Sequence, residues 1–433
     1  MRRAAPPAAS GREYGRGAAV LSLGIGTTGL ITYAYFSLSS YSLSEADYGG
    51  VTLLWSAVFI TVSVLYRPVE QLLSRTIAER DARGEAGREH LRVAATIQLT
   101  LGVLFAVAAL ALRGPLEDDL FGGSETLYWV LIVTVLAYAA SYFARGFLAG
   151  HHRFGLYGLL VLMEASSRCL FALAVAVGIA DGQSVVAFGM VAAPLVSLAV
   201  VPWALGRRLR RRGALPAPAE VPEPEFTLAH GTGFAAAVLV VMLCEQTFLN
   251  AGPLVVKADE GGAEGAALAG FTFNVLLIAR APLQLFQSVQ TAILPVLTRL
   301  RASGESDPFR RSINVTLIAI ACFSCVVGLA MAAAGPALMD VIFGGEFDYH
   351  RGGLVLIALG MGLYLAAATL NQAALARGRA RAASVCWAVS AALFLAFLAL
   401  PGFDDRVLQV EVGYFGGALV LSASLYALYR RGG

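Results

Sequence analysis

Apolar runs of about 20 residues, each long enough to cross a bilayer as a helix, recur twelve times along this chain. They lie near 17–40, 48–70, 91–112, 125–148, 154–178, 183–204, 227–250, 265–295, 311–334, 353–374, 381–400 and 408–429. Within several runs the polar residues keep a helical period. On the eighth, Arg280, Gln284, Gln287 and Thr291 follow i, i+4, i+7, i+11, and the other faces are Leu, Ile, Val and Phe. On the second, Ser56, Ser63, Arg67, Glu70 and Ser74 repeat the device. A helix that is polar on one side and apolar elsewhere fits one that lines water while its remaining faces meet lipid or protein. The pattern predicts an all-α integral membrane protein of twelve transmembrane helices.

The basic residues test that count. With the N-terminus placed in the cytoplasm and sides alternated, the 32 Lys and Arg sort as 25 on cytoplasmic segments and four on outer segments (Arg113, Lys257, Arg351, Arg406). Three fall inside spans (Arg67, Arg168, Arg280). This is the asymmetry of the positive-inside rule, and a wrong span count would destroy it by moving alternate loops to the other side. Both termini are expected in the cytoplasm. Hydrophobic residues at 58% and charged ones at 14% exclude an ordinary soluble domain. Thirty-one Arg against one Lys, with abundant Ala, suggests a GC-rich bacterial genome and hence the bacterial cytoplasmic membrane. The arginines gathered on one face serve topology and anionic lipid, so no nucleic-acid partner is expected. The basic first 16 residues lead straight into a full-length span, which reads as a retained helix and not a signal peptide.

The one evident linker, 206–226, carries Arg207, Arg208, Arg210, Arg211 and Arg212, then Pro216, Pro218, Pro222 and Pro224. It divides the chain into an N-terminal lobe (1–205, helices 1–6) and a C-terminal lobe (227–433, helices 7–12). The lobes share traces of one another. At an offset of 220, Gly50 meets Gly270, Thr52 meets Thr272 and Tyr66 meets Phe286; at 226, Tyr138 meets Tyr364 and Arg153 meets Arg379. Two pseudo-symmetric six-helix lobes are a transporter architecture with a substrate path between them.

Several chemistries drop out. The only lysine, Lys257, follows two valines, so the chain contains no phosphate-cradling Gly-Lys-Ser/Thr loop. Gly24-Ile-Gly26-Thr-Thr-Gly29 fits the dinucleotide fingerprint by letter, but it lies inside a span with no strand before it; close helix packing is the better reading. Cys169, Cys244, Cys322, Cys325 and Cys386 all fall in predicted spans and suggest no disulfide framework. Cys322 and Cys325 have redox spacing without His or carboxylate company and read as apolar filler. No metal or other cofactor is expected. Outer segments are too short for a catalytic domain, which argues against an enzyme such as an integral-membrane polysaccharide polymerase or ligase.

Ionisable groups at mid-span are expensive, about 2.5–3.5 kcal/mol each on insertion scales, and default to functional candidates. Glu164 and Arg168 are one turn apart on the fifth helix, either facing a cavity or neutralising each other. Glu245 lies midway along the seventh with Gln246 and Asn250 beside it, and is a candidate partner for Arg280 across the lobe boundary. Arg67 and Glu70 lie near the cytoplasmic end of the second, within snorkelling range. The Gln284/Gln287 stripe either lines the path or bonds helices together. His151 and His152, with Arg145 and Arg153, read as a solvated cytoplasmic turn. Guanidinium suits phosphate, since it stays charged and its planar fork aligns two donors. Arginines, amides and few exposed apolar rings favour an anionic, hydroxyl-rich cargo over a lipophilic cation.

The stretch Leu43-Ser-Glu-Ala-Asp-Tyr48-Gly49, then Arg67-Pro68-Val-Glu70-Gln71 with Ser74-Arg75, resembles the polysaccharide biosynthesis flippases of the multidrug/oligosaccharidyl-lipid/polysaccharide exporter superfamily. So do Ala144-Arg145-Gly146-Phe-Leu-Ala-Gly150, Arg153-Phe154, and the segment from Pro282 through Leu294-Pro295 to Arg299-Leu300. The resemblance implies a MATE-like fold and alternating access. It also implies a polyprenyl-pyrophosphate-linked oligosaccharide as cargo, moved from the inner to the outer leaflet, and a possible glycan-assembly complex as partner. On this reading Arg168, Arg280, Gln284, Gln287, Gln246, Asn250 and Arg67 hold cargo. Glu164, Glu245 and Glu70 are the candidates for coupling to H+ or Na+. The alternative within the same fold is an ion-coupled multidrug or cation antiporter.

Overall fold

The computed structural model describes residues 11–83, 87, 89–202, 232–279, 306–344, 348–401 and 403–431. The linker expected at 206–226 lies outside them. Thirteen α-helices follow along the described residues: α1 (Gly11–Ser42), α2 (Glu45–Leu65), α3 (Arg67–Arg83), α4 (Glu89–Ala111), α5 (Glu125–Gly150), α6 (Phe154–Ala176) and α7 (Gln183–Ser197), then α8 (Thr232–Glu260), α9 (Gly262–Ala279), α10 (Ser306–Phe343), α11 (Arg351–Ala376), α12 (Ala380–Leu398) and α13 (Arg406–Arg430). Among the described residues, eleven segments are long and apolar enough to span a bilayer. The 32-residue α1 covers the first expected span as well.

The second span departs from expectation. Predicted as one run over 48–70, it is two helices broken at Tyr66, because Pro68 near the start of α3 has no N–H to return to the preceding turn. The ladder resumes at once, with the Glu70 amide donating to the Tyr66 carbonyl at 2.9 Å. Arg67 therefore opens α3 and Glu70 stands in its first turn, at the junction of the two helices. Helix α3 continues to Arg83, about 20 Å beyond Glu70 at 1.5 Å per residue.

Small residues set how closely helices approach. A Cβ on Gly146 would lie 2.9 Å from the Glu70 carbonyl oxygen, and one on Gly150 would lie 2.9 Å from that of Ser74. Helix α5 thus lays these two glycines, one turn apart, directly on the α3 backbone. Gly24 lies against Gly158 in the same manner, which gives the fingerprint-like glycines of α1 a packing role against α6.

Helix pairing repeats across the two halves. In the first, α1 packs on α6, α6 on α7, and α5 on both α4 and α7. In the second, α8 packs on α12, α12 on α13, and α11 on both α10 and α13. Helices α5 and α11 are each 26 residues long and coincide at an offset of 226, and α6 and α12 begin at that same offset. The lobes are pseudo-symmetric. Each has an aromatic centre: Tyr35, Phe36, Trp55 and Tyr138 in the first; Phe248, Tyr364, Trp387, Phe394 and Tyr414 in the second. The Phe248 and Phe394 rings stack at 5.1 Å.

The lobes meet in a seam at the end of the bundle that carries the α1–α2 turn. Tyr33, Ser37, Ser40 and Tyr41 form a hydroxyl face on α1 at i, i+4, i+7, i+8. Tyr33 donates to the Leu277 carbonyl, Ser37 to Ile342, Ser40 to Phe343, and Tyr41 to Asp340 and Val341 at 3.1 and 2.8 Å. The last carbonyls of α10, which a helix cannot satisfy within itself, are therefore met from the opposite lobe, that of Asp340 also accepting from the Gly344 amide at 2.9 Å. Tyr48 donates to the Asn274 side chain, which donates to Tyr349 at 3.2 Å. The Phe36 and Phe273 rings lie 4.6 Å apart. Gly49 and Gly270 let the α2 and α9 backbones touch, since a Cβ on Gly49 would fall 1.8 Å from the Ala266 carbonyl oxygen.

Candidate functional site

Below this seam lies a cavity of about 380 Å³, walled by α1, α2, α3, α5 and α6 of the first lobe and by α8 and α9 of the second. The volume falls in the usual range for small-molecule sites. Of the residues singled out from sequence, Arg67, Glu70, Glu164, Arg168, Gln246 and Asn250 line it. Glu245 does not; half-buried on α8, it lies within electrostatic reach of Arg67 in the opposite lobe. Arg280, Gln284 and Gln287 lie outside the described residues, and with them the suggested Arg280–Glu245 pairing.

Of the two readings of Glu164 and Arg168, a shared cavity face or mutual neutralisation, the structure does not show the second. Glu164 is 2% exposed and is held by Arg145 from α5, by the Ser141 hydroxyl, and by the Ser197 hydroxyl at 3.3 Å. Spacing of four along α6 placed the two on one face, but the α5 cation reaches the carboxylate and Arg168 turns elsewhere. Its Nη1 donates to the Tyr138 hydroxyl at 2.8 Å, and its guanidinium lies over the rings of Trp55 (5.1 Å) and Phe59 (5.9 Å). Arg168 is 4% exposed, and among the described residues no carboxylate lies within 4 Å of it. One hydrogen bond and two ring faces leave most of its five donors for something in the cavity.

Arg145 is a second correction. Read as part of a solvated cytoplasmic turn, it faces the cavity with its side chain 12% exposed and stacks at 4.6 Å over the Tyr142 ring. A signal for it existed: Tyr138, Ser141, Tyr142 and Arg145 run i, i+3, i+4, i+7 along α5, a polar stripe like those recognised elsewhere. Sequence reasoning also missed Tyr157, whose hydroxyl donates to Glu70 Oε1 at 2.9 Å, and Thr28, Thr32 and Gln71 in the wall. Asn250 turns back on its own helix, donating to the Gln246 side chain at 3.1 Å.

Few rings were expected, yet Tyr33, Phe36, Trp55, Phe59, Tyr142 and Tyr157 line the cavity. They surround the arginines as much as they face open space. Among the described residues the wall carries three guanidiniums (Arg67, Arg145, Arg168) against two carboxylates (Glu70, Glu164), all contributed by the first lobe. Such a surface can hold an anion by charge and fork geometry, and can meet a sugar or an apolar group through the rings.

No protein-family model and no curated protein matches the sequence. Solved structures do match in shape. A Vibrio cholerae MATE transporter, VcmN in a mutant form, aligns over 97% of this chain and 98% of its own at 15% identity and a TM-score of 0.64. The fold is that of the MATE transporters. An inward-facing multidrug resistance MATE transporter of the MOP superfamily aligns over 95% of this chain and 97% of its own, at 13% identity and a TM-score of 0.66. The eukaryotic MATE transporter AtDTX14 covers 97% of this chain and 96% of its own, at 14% and 0.64. At such identities the likeness concerns architecture, and the cavity chemistry is this chain's own.

Proposed function

We propose that this chain is a MATE-fold exporter that flips a polyprenyl-pyrophosphate-linked oligosaccharide from the inner to the outer leaflet of a bacterial cytoplasmic membrane. The observation that carries this reading is Arg168: a buried guanidinium, unpaired with any carboxylate within 4 Å among the described residues, oriented by Tyr138 and two rings toward a cavity between the lobes. An unneutralised charge in a membrane interior is costly, and a phosphate ligand is what would offset it. Arg67 supplies a second cation across the same space. Gln246, Gln71, Thr28 and Thr32 offer partners to sugar hydroxyls. With both termini in the cytoplasm, as the distribution of basic residues suggests, the seam closes the outer side and the cavity faces inward.

The experiment is flipping of a labelled polyprenyl-pyrophosphate-linked sugar in proteoliposomes, read by a membrane-impermeant quencher. Wild type should expose the label on the far leaflet. Arg168→Ala should lose this while eluting as a folded protein. Normal flipping by Arg168→Ala would remove the proposal.

The ring-lined wall supports a second reading, a cation antiporter, because aromatic faces and a carboxylate such as Glu70 suit a lipophilic cation. Its discriminating result is uptake of a fluorescent cationic dye into inverted vesicles that survives Arg168→Ala and is abolished by Glu70→Gln.

A further inference from the structure

Resting on the anionic-cargo reading, we propose that Gln246 reads an acetamido group on the cargo, so that the sugar joined to the diphosphate is an N-acetylated one and not a plain hexose. The inference starts from Asn250, one turn beyond Gln246 on α8. Its side-chain nitrogen lies 3.2 Å from the Gln246 backbone carbonyl and 3.1 Å from the Gln246 side-chain amide. A backbone carbonyl only accepts, so Asn250 must turn its NH2 toward it. The same nitrogen faces the Gln246 amide, which must answer with its own acceptor, Oε1. Gln246 is thereby locked one way round.

Its oxygen is spent within the helix, and among the described residues its NH2 donates to nothing. Gln246 is buried and lines the cavity, so these two donors are presented to whatever fills that space. A buried donor left unmet is costly, and a matching acceptor recovers the loss. The opposite character stands on α1. Thr28 donates its hydroxyl proton to the Gly24 carbonyl and Thr32 to the Thr28 carbonyl, each at 2.8 Å. With their protons committed, both hydroxyls offer the cavity lone pairs alone. Leu249, one turn from Gln246 on α8, adds apolar surface to the same wall, as do Phe36 and Leu277.

A fixed donor, fixed acceptors and an apolar surface match the three parts of an acetamido group. Its carbonyl accepts from Gln246, its N–H donates to a threonine, and its methyl meets the leucines. The carbonyl and N–H of a trans amide point to opposite sides, and here the donor and the acceptors come from opposite lobes. A sugar hydroxyl can bond to either side but brings no methyl. A carboxylate brings no proton for the threonines, and it would set a further negative charge near Glu245, the residue next to Gln246. With the diphosphate on Arg168 and Arg67, such a headgroup touches both lobes at once.

The test is calorimetric titration of the purified full-length protein in detergent micelles with two synthetic ligands, farnesyl-diphospho-N-acetylglucosamine and farnesyl-diphospho-glucose. They differ only in an acetamido group where the second has a hydroxyl. Wild type should bind the first about tenfold more tightly, the combined effect of one added hydrogen bond and one buried methyl. The readout in each variant is the ratio of the two affinities, from which any general change in anion binding cancels. Gln246→Leu should bring that ratio close to one. Asn250→Asp gives Gln246 an acceptor where Asn250 gave a donor, so the amide should turn over and the ratio fall to one or below; a packing role for Asn250 would leave the ratio unchanged. Equal wild-type affinities, a preference for the glucose ligand, or a wild-type ratio surviving in Gln246→Leu overturns the proposal and leaves the anionic-cargo reading in place. A ratio unmoved in Asn250→Asp overturns the locked amide on which the proposal depends. If wild type binds neither ligand, the anionic-cargo reading falls and takes this proposal with it.

Discussion

The pairing of Glu164 with Arg145 and not with Arg168 is open to a direct energetic test. Glu164 is 2% exposed and Arg145 12%, so both charges are largely out of water. Removing one member of a buried pair leaves the other uncompensated, typically at about 3–5 kcal/mol. The lower end applies here, because Arg145 borders a cavity and keeps the Tyr142 ring. Glu164→Ala also leaves the Ser141 and Ser197 hydroxyls without their acceptor. The double substitution removes both charges at once, and its cost should fall short of the sum of the singles by roughly 2 kcal/mol, within the range for contacting residues. Arg168 serves as the internal control. It shares a helix face with Glu164 but makes no ion pair with it, so Arg168→Ala and Glu164→Ala should couple by about 1 kcal/mol or less, well below the 145–164 pair. The assay is a double-mutant cycle by reversible denaturant unfolding in mixed micelles, with thermal melting as a check. Coupling larger for the 164–168 pair than for the 145–164 pair would refute the assignment. It would also withdraw the claim that Arg168 is free to meet cargo.

Other consequences follow from the packing. Gly150→Ala places a Cβ 2.7 Å from Ile77 Cβ and should separate α3 from α5 at a cost of about 1–3 kcal/mol, read as a lowered melting temperature. The seam should open in a triple variant, Ser37→Ala with Ser40→Ala and Tyr41→Phe. At about 0.6 kcal/mol per interhelical hydrogen bond, losing these removes roughly 2 kcal/mol, a ~30-fold shift toward the outward-open state. Spin labels on Asp118→Cys and Asp348→Cys, at the same end of opposite lobes, should report a longer distance population; an unchanged distribution counts against the latch. Gly49→Ala should produce the same shift by a different cause, because its Cβ meets the Ala266 backbone carbonyl and not a flexible side chain.

Much of the fold could be read from one-dimensional pattern, and the reason is physical. In lipid every backbone polar group must be satisfied within its own segment, so a long apolar run has little choice but helix. What pattern could not supply was the break at Tyr66. Pro68 signals it, but prolines are tolerated inside membrane helices, as Pro194, Pro253 and Pro336 are within α7, α8 and α10. The site was legible where charge stood alone in an apolar run, as at Arg168, Glu164 and Glu70. It was obscured where a charge stood near a predicted loop: Arg145 lies close to the end of α5, and distance from a loop in sequence is not depth in the bundle. Partners were the least legible. Glu164 and Arg168 satisfy every local rule for an ion pair, and only the approach of α5, brought down onto α3 by Gly146 and Gly150, decides otherwise. The seam was missed although its donors keep a strict helical period, because Ser and Tyr at such spacing are also common on helices with no opposite lobe to cap.

The pseudo-symmetry of the lobes also says where function is concentrated. At the offset that superposes α5 on α11 and α6 on α12, Tyr138 corresponds to Tyr364, and both are fully buried. Around that shared ring the chemistry diverges: Arg145 corresponds to Asn371, Glu164 to Ser390 and Arg168 to Phe394. Where the first lobe carries charges, the second carries an amide, a hydroxyl and a ring. Asn371 accepts from the Trp387 indole at 3.3 Å and Phe394 stacks on Phe248, so these two counterparts are engaged within their own lobe, and none of the three lines the cavity. A lobe whose centre is closed aromatic packing is rigid and cheap to insert, whereas one whose centre is a charged hollow is neither. Retaining charge at these equivalent positions on one side alone limits that cost. On this division, grafting the second lobe's set into the first (Arg145→Asn, Glu164→Ser, Arg168→Phe together) should give a protein that still inserts and melts cooperatively yet no longer binds pyrophosphate. Retained binding in that triple variant would place the anion site elsewhere.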